Sequence, residues 1–122
     1  MKFTETHEWI RLEGDIGVIG ITDHAQHELG DIVYVELPTI GKKVAKEAEI
    51  AVLESTKAAA DIYAPVSGEI IEVNPILEDY PELINDSPES LGWIYKVKLS
   101  DIKEYDLLLD ADGYKAMLHG RL

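Results

Sequence analysis

Glu49-Ile50-Ala51-Val52-Leu53-Glu54-Ser55-Thr56-Lys57-Ala58-Ala59-Ala60-Asp61-Ile62-Tyr63-Ala64 is the stretch on which the fold of this chain turns. Two strand-like segments, Glu49 to Glu54 and Asp61 to Ala64, flank Ser55-Thr56-Lys57-Ala58, so Lys57 falls at or near the tip of a β-hairpin. The turn signal is weak by itself, because neither Asn-Gly nor Asp-Gly is present. A lysine so placed is expected to be fully exposed, with its stem directed into water. Its neighbours Ser55, Ala58, Ala59 and Ala60 are small, which leaves room for a modifying enzyme to close over it. An alkyl amine is mostly protonated at neutral pH, so it becomes an amide only with an enzyme and an activated acyl group. On composition and periodicity alone the ordinary reading, one of several solvated surface lysines, is the stronger.

Strand signals continue on both sides. Ile16 to Ile21 is a β-branched run punctuated by glycines, and Asp31 to Leu37 alternates Ile32, Tyr34 and Glu36 against Val33, Val35 and Leu37 until Pro38 stops it. Between them Thr22 reads as an N-cap, Asp23 favours the helix dipole, and Gly30 suits the position after the last turn, giving one short helix with Ala25 and Leu29 on one face. Ser67 to Val73 reads as a further strand. In Trp93 to Leu99, Trp93, Tyr95, Val97 and Leu99 are expected to face inward while Lys96 and Lys98 face water. Pro75, Pro81 and Pro88 make the intervening region irregular. After Ser100 the period turns helical through Ile102, Tyr105, Leu108 and Leu109 behind a serine N-cap, then through Tyr114, Met117 and Leu118, with 119–122 a frayed end. Short strands separated by turn signals predict a mainly β chain, a sandwich or flattened barrel with peripheral helices.

The length, 122 residues, predicts one domain over 1–122. The chain has no cysteine, so any thiol chemistry must come from something attached to it. Its 24 Asp and Glu against 11 Lys and Arg, a net charge of −13, repel nucleic acid and anionic lipid and suit protein partners with basic surfaces. No stretch approaches the ~20 apolar residues of a membrane span. Because the organised pattern begins at once with Phe3 and Trp9, no targeting peptide is expected, and a bacterial cytoplasm is the expected location.

Other signals are weaker. His24 and His27 sit three apart beside Glu28, but two histidines without a defined third ligand fall short of a zinc site, and a polar helix face is the better reading. Gly14, Gly17 and Gly20 lack the Gly-Lys-Ser/Thr ending of a phosphate loop. No Ser-His-Asp set can be assigned.

The string Glu54-Ser55-Thr56-Lys57-Ala58 through Asp61 to Ala64-Pro65-Val66-Ser67-Gly68-Glu69 closely resembles the lipoylation segment of the glycine cleavage system H proteins. Three other stretches resemble the same family in the same order: Thr6-His7-Glu8-Trp9, then Gly20 to Ala25 with Gly30 to Val33 and Leu37-Pro38, then Pro81 to Asn85 followed by Gly92-Trp93. Together they cover nearly the whole chain. The resemblance implies a lipoyl-domain-like β-sandwich, a barrel-sandwich hybrid or hammerhead, with short peripheral helices and a C-terminal helix. It implies covalent lipoate on Lys57 and a non-catalytic carrier role, with lipoylating enzymes as partners. A pyridoxal-phosphate glycine decarboxylase would load an aminomethyl group onto the arm, a folate-dependent aminomethyltransferase would take its methylene, and dihydrolipoyl dehydrogenase would reoxidise the dithiol. By position, Glu8 and Asp61 match residues of a cleft that shelters the arm and its cationic amine. Each also has an ordinary reading, Glu8 as a cap or ion-pair partner and Asp61 as the mark of a strand start.

Thr56 stands where the family usually has valine, and Pro88 to Gly92 strays from its usual aromatic-containing loop. The rivals are a lipoyl relay that donates its group to other lipoyl domains, a biotinyl carrier, and an unmodified acidic interaction module. Thr56 and Ala58 stand where a biotinyl domain usually has methionine, which speaks against that rival. A monomer is expected, since a carrier must free its arm for successive partners.

Overall fold

The computed structural model describes residues 1–120. Along the chain run β1 (Lys2–Phe3), β2 (Glu8–Glu13), β3 (Ile16–Ile21), α1 (Asp23–Leu29), β4 (Ile32–Glu36), β5 (Lys43–Val44), β6 (Glu49–Ser55) and β7 (Ala59–Tyr63). There follow β8 (Gly68–Val73), α2 (Ile76–Asp79), α3 (Leu83–Asp86), β9 (Tyr95–Leu99), α4 (Lys103–Asp106) and α5 (Ala111–Leu118). All strand pairs are antiparallel. They form a six-stranded sheet in the order β1-β2-β3-β9-β8-β5 and a three-stranded sheet in the order β4-β6-β7. The mainly β sandwich expected from the sequence, with short helices and a helix at the C-terminal end, is the fold.

Alternation along the strands decides which face each side chain takes. Ile10, Ile19 and Tyr95 are wholly buried and meet Leu53 and Ile62 of the smaller sheet in one core. Trp9 and Val18 point to the opposite face, where they form a second cluster with Phe3 and Tyr114 of α5. Gly20 makes that cluster possible: a Cβ there would stand 2.8 Å from the Trp9 ring. Phe3 stacks on Tyr114 with ring centroids 4.8 Å apart and 13° between planes. Phe3 also exchanges backbone hydrogen bonds with Leu109, at 2.8 Å and 3.0 Å, which ties the start of the chain to the segment entering α5.

Thr22 caps α1, its Oγ1 accepting from the Ala25 N–H at 3.2 Å, as the sequence predicted. Several expectations need correction. The even alternation of β4 is broken by a bulge between Ile32 and Tyr34, so Ile32 and Val35 face the core while Val33 and Tyr34 face water. The proline-rich region is not wholly irregular but holds the single turns α2 and α3. Among the described residues Ser100 makes no capping hydrogen bond; the N-cap of the single turn α4 is Ile102, which has no side-chain cap, and Asp101 Oδ1 accepts from the Lys103 N–H at 3.0 Å. Ile94 is buried together with Tyr95, whereas Trp93 is half-buried in the second cluster. At the expected frayed end, the His119 and Gly120 N–H groups still donate to carbonyls of α5, and 121–122 lie outside the described residues.

Candidate functional site

β6 and β7 pair in register from Glu54↔Ala59 to Ala51↔Ile62, and the turn between them is Thr56-Lys57-Ala58. Ser55 builds the turn that the sequence signalled only weakly. Its N–H donates to the Ala58 carbonyl at 2.8 Å, and its Oγ accepts from the Lys57 and Ala58 N–H groups at 3.1 Å and 3.0 Å. Lys57 is exposed, and its Nζ has no hydrogen bond or ion pair among the described residues. Its stem does not run straight into water, however. It lies against Gly30 at the end of α1, where a Cβ would stand 2.8 Å from Lys57 Cε.

The tip is braced from that side. The Thr56 N–H donates to the Asp31 carbonyl at 3.1 Å. Asn85 of α3 holds the segment around Asp31: its Oδ1 accepts from the Ile32 N–H at 2.9 Å, and its Nδ2 donates to the Gly30 carbonyl at 2.9 Å and to Gln26 Oε1 at 3.0 Å. Asn85 falls in one of the stretches that resemble the family, but no local pattern signals a contact across 55 residues.

Glu8 is 1 % exposed and has no ion-pair partner among the described residues. Of its two ordinary readings, the salt bridge is absent among the described residues, while its contact with Tyr63, the last residue of β7, is of the strand-end capping kind. The Thr4 and Thr6 hydroxyls donate to its Oε1 at 2.6 Å and 2.5 Å, and the Tyr63 N–H donates to Oε2 at 3.4 Å. Burial pushes its carboxyl above the ordinary range, against the pull of these hydrogen bonds. Desolvating a carboxylate is costly without a compensating charge. Glu8 lines a cavity of about 590 Å³ together with Thr4, Thr6, Lys46, Tyr63 and Leu108. Thr4 and Thr6 reach Glu8 from the turn between β1 and β2, where the Thr4 N–H donates to the Glu8 carbonyl at 2.9 Å and the His7 N–H to the Thr4 carbonyl at 3.2 Å, so no strand alternation signals this carboxylate cradle.

Asp61 lies in the middle of β7 rather than at its start, is exposed, and lines a separate hollow of about 250 Å³ with Glu36, Lys42 and Glu49. The structure therefore does not bring Asp61 and Glu8 into one cleft. His24 and His27 are each within ion-pair distance of a carboxylate one turn away, Glu28 at 3.5 Å and Asp23 at 3.4 Å. Among the described residues no group of three or more His, Asp or Glu has the spacing of a metal site.

His7 Nδ1 and Thr22 Oγ1 each lie 2.7 Å from the Tyr114 hydroxyl, joining the segment before Glu8 to α1 and α5. The His7 and His24 ring centroids are 4.8 Å apart. Desolvation, then the charge of His24, push the His7 imidazole below its ordinary value, partly opposed by Glu28.

A family model described as glycine cleavage H-protein matches residues 1–121. The chain belongs to this family. It is 53 % identical over 118 residues to the glycine cleavage system H protein of Xanthobacter autotrophicus, covering 97 % of this chain and 94 % of that one. It is 55 % identical over 116 residues to the H protein of Thermus thermophilus, covering 95 % of this chain and 91 % of that one. The crystal structure of the H protein from Mycobacterium marinum superposes with a TM-score of 0.86 at 37 % identity, over 98 % of this chain and 95 % of that one. That match fits the lipoyl-domain-like sandwich, with the Lys57 hairpin built from its smaller sheet. Among the described residues no helix is long and apolar enough to cross a membrane.

Proposed function

We propose that Lys57 is the attachment point of a lipoyl group and that this H-protein family member is a non-catalytic carrier, one domain over 1–122, in glycine cleavage. The observation that carries the reading is the placement of Lys57: an unpaired amine among the described residues, at the tip of a hydrogen-bonded turn, with only small side chains beside it. These residues fit the group. An amide at Nζ breaks no ion pair, and Ala58, Ala59 and Ala60 put no bulk in the way of an enzyme that forms it. The lipoyl group, when bound, supplies a disulfide that accepts the aminomethyl unit and returns as a dithiol, chemistry that this cysteine-free chain cannot supply itself.

The chain's own residues contribute presentation and shelter. The turn holds the lysine in a fixed place, and a tether keeps its end at an effective concentration in the ~mM range near a docked partner. Glu8 serves as the buried anion that receives the load's cationic amine in the cavity that it lines. The cleft role is proposed for Glu8 alone, because Asp61 opens on a different hollow. The partners of this reading are the lipoylating enzymes, the pyridoxal-phosphate glycine decarboxylase, the folate-dependent aminomethyltransferase and dihydrolipoyl dehydrogenase. The relatives are bacterial, and the setting that goes with this reading is a bacterial cytoplasm.

Intact mass of the chain from its native host tests the attachment. One lipoyl increment, absent from Lys57→Arg, is expected; an unmodified or biotinylated chain overturns it. Exchange of labelled bicarbonate with glycine, reconstituted with the decarboxylase, tests the carrier role. No exchange by the lipoylated chain defeats that role and leaves a lipoyl relay.

A further inference from the structure

β7 pairs with β6 alone, so one long side of it is a sheet edge. The pairing fixes which backbone groups face that edge. Ser55 and Ala58 form a hydrogen-bonded pair at the turn, the Ser55 N–H donating to the Ala58 carbonyl at 2.8 Å. In an antiparallel ladder such pairs alternate with pairs whose N–H and C=O groups point away from each other. From the register, Leu53↔Ala60 and Ala51↔Ile62 are bonded to each other, and the N–H and C=O groups of Ala59 and Asp61 are directed outward. Tyr63 confirms the phase, for its N–H also leaves β6 and donates to Glu8 Oε2. The outward groups of Ala59 and Asp61 have no partner strand among the described residues, and both residues are exposed.

This open edge begins two residues after Lys57. Its donors and acceptors are the template that an added strand requires, and Ala59 and Ala60 put no bulky side chain against an approaching backbone. We propose that the β7 edge is the docking site of the enzyme that acylates Lys57, which adds an extended segment antiparallel or parallel to Ala59–Asp61. The choice of partner follows from position: a segment paired at Ala59 stands beside the lysine turn, where an acylating active site must close. Asp61 on the same strand favours a Lys or Arg on the added segment. This rests on the reading of Lys57 as the lipoylated residue. The enzyme activates lipoate with ATP as its acyl adenylate, releasing pyrophosphate; the neutral Nζ amine attacks the acyl carbon and displaces AMP to form the amide, and the amine's proton passes to solvent.

Ala59→Pro is the test. Proline removes an N–H that β6 does not use and is tolerated on edge strands, while its ring blocks an added strand. With a purified lipoate–protein ligase, lipoate and ATP, the KM for the acceptor chain is expected to rise about tenfold or more, as the loss of one or two hydrogen bonds implies. The kcat should change much less. Hydrogen exchange gives an independent reading that does not depend on the variant folding. In the Lys57→Arg chain mixed with ligase, the Ala59 and Asp61 amides should exchange more slowly than in the free chain. An unchanged KM for folded Ala59→Pro, or amides that the ligase leaves unprotected, overturns the proposal while the reading of Lys57 stands. A wild-type chain that takes no lipoyl group at Lys57 overturns both. A concentration-dependent dimer dispersed by Ala59→Pro assigns the edge to a second copy and overturns the choice of partner.

Discussion

The stem of Lys57 fills the space that Gly30 leaves, with Cε 2.8 Å from where a glycine Cβ would be built. Gly30 itself has φ +81° and ψ −161°, a region open almost only to glycine. Gly30→Ala should therefore cost about 1–3 kcal/mol, most of it backbone strain, because the lysine stem can swing aside. Urea denaturation measures that loss. The folded fraction should still be lipoylated at Lys57, and a folded variant that is not would give Gly30 a role beyond accommodating the stem.

Glu8 makes stability depend on pH. Burial raises its carboxyl above the ordinary value of 4.5, so the folded chain binds that proton more tightly than the unfolded chain does. The stability it contributes is thus fully present below 4.5 and is lost as pH climbs through that value to the raised folded one. Glu8→Gln does not titrate there. The wild-type unfolding free energy minus that of the variant should fall as pH rises above 4.5 and level off once the folded carboxyl has ionised. A flat difference would show that the carboxylate is already compensated.

His7 acts in the opposite direction. Its folded value lies below the ordinary 6.5, so the fold favours the neutral ring, and stability is lost as pH falls through 6.5 toward the folded value. His7→Asn suits the backbone at this position, where φ is +74°. The variant should lose less stability than wild type on acidification, as thermal melts at pH 7.5 and about pH 5.5 would reveal. Equal losses would place the acid sensitivity elsewhere.

Tyr114→Phe keeps the stack on Phe3 and removes the hydroxyl that lies 2.7 Å from both His7 Nδ1 and Thr22 Oγ1. A cost of about 1–3 kcal/mol is expected, with the exchange of α5 amides quickened more than that of β6 and β7. Uniform quickening would mean that α5 opens only with the whole molecule.

The sequence showed what local chemistry determines. Thr22 and Gly30 marked both ends of α1, the β-branched run at Ile16 marked β3, and the segments around Lys57 marked the hairpin. It failed where one extra residue shifts a strand. The bulge between Ile32 and Tyr34 leaves both flanking segments strand-like while changing which residues face water. Similar irregularities fall between Glu49 and Ala51 and between Ile70 and Glu72. Lys57 could be placed from local pattern, but Glu8 could not. Its burial depends on β7 crossing to offer the Tyr63 N–H, a contact 55 residues away in sequence. Asp61 matched the family by position, yet its strand turns it to another hollow.

Thr56 is tied to Asp31, and Asn85 ties the neighbours of Asp31 to α3 and α1. The hairpin tip is therefore a stationary centre rather than a boom. Excursions of the Lys57 side chain trace a shell around it, whose radius is set by the torsions of that side chain and of whatever is joined to it. A partner enzyme must carry its own catalytic groups inside that radius, for it has no hinge by which to pull the centre closer.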